Sequence, residues 1–506
     1  MSYKIAVGSS DEINVDLKFG EVSEFLIYEV DDNFRLVERR VLQVGAKDSA
    51  CSGNGNGCGC GGSKDIVSKV TQIEDCRCVV CKKIGFQAQK ALEKKAISVF
   101  DVECSIENAL EKITLYYSRV DKHERFGNYT KCIHTENDDE DSNHFGAISY
   151  PIYQTATYAH PGVGLSTGYD YSRLQNPTRE QLEKIVCQLE EGVDALALSS
   201  GMAAITLVFE LFKPGDHIIA ESDLYGGSRR LFDKVSVKNG YEFTYLNFSK
   251  DDYVSEIKGN TKAIYIETPT NPMMNVADIA AIAQVAKEND ILLIVDNTFL
   301  SPHFQKPLKL GADIVVHSGT KFLGGHNDAL AGFIVTNNDK VQKTLRELIK
   351  TTGAGLAPFD SWLMIRGIKT LGVRMEKAEK NALEIARWLR KQKHVTDVFY
   401  PGLEDHPGYE IMKRQTTGFG AMITFYVDTK ETALQILEKV KLIKFAESLG
   451  GVETLITYPT SQTHADLPEE ERLKNGITDT TLRLSIGIED VDDLKRELKK
   501  VLESIN

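Results

Sequence analysis

No apolar run in this 506-residue chain approaches the ~20 residues that cross a bilayer, and the start Met1-Ser-Tyr-Lys-Ile-Ala-Val lacks a hydrophobic signal core. A membrane span and an export signal are therefore not expected, and the chain reads as cytoplasmic. Positive charge is also in short supply. Lys and Arg number 60 against 73 Asp and Glu, a formal net charge of −13, which favours solubility. Nucleic acid and anionic membranes are excluded as main partners on the same ground. No internal repeat is present, so solenoid architectures are set aside. Cysteine is scarce over most of the chain, with only Cys132 and Cys187 beyond Cys104. The others, Cys51, Cys58, Cys60, Cys76, Cys78, Cys81 and Cys104, crowd the front. Without an export signal, such clustering points to thiol or metal chemistry rather than to a disulfide framework.

What the chain does have is length enough for at least three domains, with 42% hydrophobic and 26% charged residues. Residues 4–8 read as a strand, and Glu24–Val30 with Phe34–Leu42 as a hairpin across residues 31–33. Residues 50–63 read as a Gly- and Cys-rich loop with no apolar period. Cys76–Val80 then reads as a strand, Phe86–Lys95 as a helix, Ile97–Phe100 as a strand and Ile106–Tyr117 as a closing helix. This defines a small α/β domain over residues 1–118, and the polar stretch 119–149 reads as a linker and arm. From residue 150 to 370, short apolar runs alternate with helical segments: 193–198, 216–220, 241–246, 262–267, 291–296, 313–317 and 332–335. Such alternation implies a large α/β domain built on a mostly parallel sheet. Residues 371–506 read as a smaller α+β domain, opening on a helical stretch through Val395.

Within the large domain, Asp296 ends the apolar strand Ile291–Asp296. Downstream, Lys321 sits in His317-Ser318-Gly319-Thr320-Lys321-Phe322-Leu323-Gly324-Gly325-His326. A lysine between a hydroxyl/glycine turn and a Gly-Gly loop, paired with a strand-ending acid, is what pyridoxal phosphate (PLP) enzymes require. The amine makes a Schiff base to the cofactor aldehyde, and the carboxylate keeps the pyridine nitrogen protonated. Ser199-Ser200-Gly201-Met202 follows a strand and opens a helix. The amides of Gly201 and Met202 are thus candidates for holding the phosphate, with hydroxyl donors from Ser318 and Thr320. A Ser-Gly turn alone is more often only a turn.

Eight stretches together resemble the Cys/Met metabolism (transsulfuration) family of fold-type I PLP enzymes, in family order from about residue 126 to the end. They are Tyr171-Ser-Arg173-Leu-Gln-Asn176-Pro177-Thr178-Arg179, Ser200-Gly201-Met202, Asp223-Leu-Tyr225-Gly226-Gly227, Glu267-Thr-Pro269-Thr-Asn271-Pro272, Val295-Asp296-Asn297-Thr298, Ser318–Gly325, Glu447-Ser448-Leu449-Gly450-Gly451 and Arg483-Leu-Ser485-Ile-Gly487-Ile-Glu489. The resemblance implies a homodimer or homotetramer with shared active sites, in which Tyr171 and Arg173 of a neighbouring subunit hold the cofactor phosphate. It gives Tyr225 the ring face, Asn271 the phenolic oxygen, and Arg483 with Ser448 the substrate α-carboxylate.

The catalytic set is then Lys321, Tyr225 and Asp296, acting on a small sulfur amino acid. Glu447 before Ser-Leu-Gly-Gly looks like enzymes that handle cystathionine, where it would engage the distal ammonium. Gly227 stands where methionine γ-lyases carry cysteine. A carbon-sulfur lyase on cystathionine, by β- or γ-elimination and extending to cysteine or homocysteine, is the leading expectation. Cystathionine γ-synthase or O-acylhomoserine sulfhydrylase chemistry is the alternative.

The front domain resembles the small ribonuclease H-like carrier domains of nitrogenase iron-molybdenum cofactor biosynthesis. The resemblance rests on Lys4-Ile-Ala-Val-Gly8, Phe19-Gly20-Glu21 through Tyr28-Glu-Val30, Ile84–Leu92 and Ile97–Phe100. Cys58-x-Cys60 and Cys76-x-Cys78-x-x-Cys81 supply thiolates suited to an iron-sulfur cluster or zinc, though free buried thiols are common. Strand alternation would place Cys76 and Cys78 on one face, with Val79 and Cys81 on the other. A third reading makes the chain a metal-cofactor carrier with the PLP portion as scaffold.

Overall fold

Apolar side chains at every position of Cys78–Cys81 suit a strand covered on both faces, and all four are buried. A computed structural model describes residues 2–30, 34–42, 62–123, 126–135 and 144–505. It divides the chain into two units, Met1–Arg125 and Phe126–Asn506. In the first, Cys78–Cys81 runs parallel to Tyr3–Gly8 and Ser98–Asp101, while Tyr3–Gly8, Glu24–Val30 and Phe34–Val41 form an antiparallel meander. One face packs Val79 against Val70, Ile73, Ala88 and Leu92; the other packs Val80 against Ala109, Leu110, Ile113 and Tyr117. The closing helix Ile106–His123 continues past residue 118.

One expectation fails here. The strand opens at Cys78, so the period-two alternation does not reach back to Cys76. Cys76 joins Val79 and Cys81 in one core, and Cys78 lies in the core on the opposite face.

The second unit holds a seven-stranded sheet. Its order is Asp194–Leu198, Gly332–Thr336, Ile314–Ser318, Leu292–Asp296, Thr261–Glu267, His217–Glu221, Glu242–Leu246. Gly332–Thr336 is antiparallel to both neighbours, and the other pairings are parallel. Ile294 and Val316 face the core beneath the helix Gly201–Phe209, while Val295 and Val315 face cores on the other side. Covering both faces is what the continuous apolar runs require. A second, five-stranded sheet of Val395–Phe399, Met422–Val427, Thr481–Ser485, Leu455–Thr457 and Lys444–Phe445 follows the helix Leu371–Leu389. That helix ends at Leu389 rather than running through Val395, and His394 beyond it takes a left-handed backbone (φ 71°) that a right-handed helix could not pass through. Among the described residues, no helix is long and apolar enough to cross a membrane.

The Asn176-Pro177-Thr178-Arg179 motif has a local explanation. Asn176 accepts from the amides of Thr178 and Arg179, and Pro177 sits at the first position of Pro177–Glu190, so the motif starts a helix.

Candidate active site

Asp296, Ser318 and Glu267 are the last residues of three adjacent parallel strands, and Ser200 closely follows a fourth strand of the sheet. Carboxyl ends of parallel strands are where an open α/β sheet gathers ligands. Thr298 ties two of these ends together. Its amide (3.0 Å) and hydroxyl (2.5 Å) donate to Asp296 Oδ1, and its hydroxyl oxygen accepts from the Ser318 amide at 2.9 Å. The Tyr265 hydroxyl donates to Asp296 Oδ2 at 3.3 Å. Burial pushes the Asp296 carboxyl above the usual range, and the Thr298 donors pull it back. Beside it in register, Glu267 is raised well above its usual value by burial and by the Asp296 charge; its Oε2 accepts from the Tyr225 amide at 2.9 Å.

The turn after Ser318 presents Lys321. Its Nζ donates to Ser448 Oγ at 2.8 Å. Burial, reinforced by the Arg483 guanidinium, lowers its amine to about 8, and Glu447 opposes the shift. Ser448 itself has φ 109° and hands its carbonyl to Arg483 Nη2 at 3.1 Å. Arg483 also donates to Asn271 Oδ1 (2.6 Å) and Thr457 Oγ1 (3.1 Å). It is 1% exposed, and its Nε–H is buried with no protein acceptor. A fully buried guanidinium with a donor to spare calls for an anion. Burial lowers it to about 10, against the opposing charges of Glu267, Tyr225 and Glu447.

Gly201–Phe209 begins beside this turn. Ser200 Oγ accepts from the Ala203 amide at 3.1 Å, leaving Gly201 and Met202 with amides no helical carbonyl can receive. A Cβ on Gly201 would lie 2.9 Å from Ser318 Cβ, so only glycine lets the helix N-terminus approach Ser318 this closely. The Thr320 hydroxyl is engaged with Ala331, accepting from its amide at 3.2 Å and reaching its carbonyl at 3.4 Å. Tyr225, 40% exposed, lies over Gly227, where an added Cβ would meet its Cε1 at 2.4 Å.

The chain thus brings together Lys321, Asp296, Tyr225, Asn271, Arg483, Ser448, Ser318, Gly201 and Met202, with the exposed Glu447 acting on Lys321 and Arg483 through its charge. Tyr171 and Arg173 lie elsewhere in this chain. The Arg173 guanidinium is 5.5 Å from the Tyr171 ring centre and donates to the Lys350 carbonyl. Thr298, Tyr265 and Thr457 carried no assigned role in the sequence. Nor did His464.

The described front thiols Cys76, Cys78 and Cys81 do not converge. Burial pushes Cys76, Cys78 and Cys81 up to about 12, keeping them protonated and poor as ligands. With Cys78 on the opposite face from Cys76 and Cys81, the three cannot share one ion. Among the described residues no group of three His, Cys, Asp or Glu forms a metal site. Cys58 and Cys60 lie outside the described residues.

A half-buried lysine, a strand-ending aspartate, a helix N-terminus and a buried arginine on this sheet define a fold-type I PLP-dependent enzyme. Residues 129–503 match the model of the Cys/Met metabolism PLP-dependent enzymes, and the chain belongs to that family. Residues 1–115 match the dinitrogenase iron-molybdenum cofactor model. Among curated proteins, a cystathionine gamma-lyase of Bacillus subtilis is 50% identical over 361 residues, 71% of this chain and 95% of that protein. A cystathionine gamma-synthase/O-acetylhomoserine (thiol)-lyase of the same organism is 49% identical over 358 residues, 71% of this chain and 92% of that protein. The crystal structure of a cystathionine gamma-lyase from Lactobacillus plantarum complexed with L-serine is 43% identical. It superposes with a TM-score of 0.72 over 75% of this chain and 99% of that one.

Proposed function

We propose that the chain is a carbon-sulfur lyase acting on cystathionine or a related sulfur amino acid. One observation carries the reading: Ser448 joins the Lys321 amine, at its hydroxyl, to the Arg483 guanidinium, at its carbonyl. A base and a carboxylate clamp fixed on one residue suit removal of a proton from the carbon next to a carboxylate.

PLP, held by Lys321 and Asp296, supplies an electron sink for the charge left on that carbon. The chain's own residues do the rest. Arg483 would turn its spare Nε–H and one Nη toward the substrate α-carboxylate, and Asn271 would donate to the phenolic oxygen of bound PLP. Lys321 Nζ, which burial leaves more often unprotonated, would take the α-proton and return it to the departing sulfur. Gly201, Met202 and Ser318 receive the phosphate, with Thr320 joining them if its hydroxyl leaves Ala331. Tyr225 covers the ring, and Glu447 faces the distal ammonium of cystathionine.

Tyr171 and Arg173 reach the phosphate of a second copy in this reading. Support comes from Phe145, Ile148, Val163 and Leu165, large exposed apolar side chains on the same 144–176 segment. Apolar surface of that kind marks a subunit contact, and a two-fold dimer would exchange the segment's residues between sites. We also place the division between the large and small domains at residues 370 and 371, where the helix Leu371–Leu389 begins.

Gamma-replacement is the second reading, favoured by the 49% identical synthase. Incubation with cystathionine, cysteine and homocysteine separately, with assay for pyruvate and 2-oxobutyrate, tests the first. Either oxo acid from cystathionine supports it and names the carbon attacked. No oxo acid, with cystathionine formed instead from an O-acyl homoserine and cysteine, establishes the second.

A further inference from the structure

His464 belongs to the small C-terminal part, yet its ring is 1% exposed and lies against two loops that carry active-site residues. Nε2 is 3.0 Å from the carbonyl oxygen of Leu224 and 3.1 Å from that of Asn271. Both are acceptors only, so Nε2 carries the proton and shares it between them. Nδ1 is then an acceptor, satisfied by the Thr463 hydroxyl at 2.8 Å. Burial lowers the imidazole to about 4, so this neutral tautomer persists at physiological pH.

The two carbonyls occupy informative places. Leu224 precedes Tyr225, whose own amide is fixed by Glu267. Asn271 accepts from Arg483 through its side chain. One N–H therefore spans from the loop bearing the aromatic cover to the loop bearing the partner of the carboxylate clamp. The backbone is built for this approach. A Cβ on Gly226 would fall 2.0 Å from the Thr463 carbonyl oxygen, so Gly226 lets the His464 segment close over the Tyr225 loop. Arg230 with Asp466 (2.5 Å) and Arg229 with Glu471 (2.8 Å) hold the same two segments together at the surface.

We propose that His464 is a positioning residue for the elimination reaction, setting Tyr225 and the Asn271–Arg483 pair at fixed separation through one bifurcated N–H. The proposal deepens the lyase reading and rests on it. The imidazole touches neither substrate nor cofactor; it acts through the two loops.

The test uses the full-length protein with PLP bound, comparing His464→Leu, which keeps bulk without a donor, with His464→Gln, whose amide nitrogen reaches a similar point. Thermal midpoint, the visible band of the bound cofactor, kcat and KM are read for each. His464→Leu should fold, shift the visible band and lose about 100-fold in kcat, the scale expected when reacting groups are misplaced by about 1 Å. His464→Gln should recover the band and come within about tenfold of wild-type kcat. A folded His464→Leu with wild-type kcat and band would overturn the proposal, as would a Gln variant no better than Leu. Should His464→Leu not fold, Thr463→Val removes the hydroxyl that fixes the tautomer. It should lower kcat about tenfold, the effect of one lost hydrogen bond, and wild-type kcat there would also overturn the proposal. If the wild-type protein performs no elimination, the lyase reading fails on its own. The visible bands of the variants still decide the positioning role, since they need no turnover.

Discussion

Lys321 and Asp296 were legible because each interrupts an apolar or glycine pattern with a charge that a buried sheet end would not otherwise tolerate. Thr298 and His464 were not. A hydroxyl two residues past Asp296 reads as an ordinary turn residue, and the partners of His464, Leu224 and Asn271, stand far away in sequence. Burial first, and Arg483 second, set the Lys321 amine near 8 rather than the ordinary 10.5. Only the unprotonated amine attacks an aldehyde. Covalent capture of PLP by cofactor-free protein should therefore rise with pH and reach half its limiting rate near pH 8; a midpoint near 10 in stopped-flow absorbance would contradict the account. Asp296→Asn should keep the fold but remove the charge that holds the pyridine nitrogen protonated. We expect kcat to fall about 10²- to 10³-fold, on the scale of other buried electrostatic contributions, and steady-state rates near wild type would refute the role.

Strands were the most readable elements, since unbroken apolar runs identify strands covered on both faces. Two readings failed where periodicity was carried beyond its element. Alternation predicts a strand face at Cys76, but the strand begins at Cys78; helical periodicity from Leu371 runs on to Val395, but the helix ends at Leu389, ahead of the left-handed His394. Neither stop shows in hydrophobicity. The Glu447–Gly451 loop shows the converse, a short motif whose glycines have separate geometric reasons. Gly450 has φ 77°, and a Cβ there would fall 2.5 Å from the Phe322 amide nitrogen and 2.9 Å from the Lys321 carbonyl carbon. Gly450→Ala should push the Lys321 backbone aside and weaken PLP affinity by between about fivefold and about 150-fold, since strain at such a position costs roughly 1–3 kcal/mol. Cofactor titration followed by visible absorbance would measure it, and unchanged affinity would show that the loop does not hold Lys321 in place.

At the scale of the whole molecule, the order of a small α/β unit followed by a PLP enzyme was visible as a change in pattern near residue 150 and in the resemblances on either side. Whether copies share active sites was not, because no residue pattern within one chain says which subunit a side chain serves. Tyr171 and Arg173 were assigned outward by resemblance alone, and in the chain they contact each other and Lys350. Mixing supplies the test. Inactive Lys321→Ala and Arg173→Ala proteins, unfolded and refolded together in equal amounts, should regain roughly a quarter of wild-type rate. Half the dimers are then mixed, and each mixed dimer has one intact site of two. Activity no greater than the sum of the parents would mean that each chain completes its own site.

The central claim is that Lys321, and no other lysine, carries the cofactor. Reducing the PLP-loaded protein with borohydride, then digesting it and reading the peptides by mass spectrometry, tests it most directly. The pyridoxyl group should appear on the peptide containing Lys321; a label on a different lysine, or no label in protein that is coloured before reduction, would rule this lysine out.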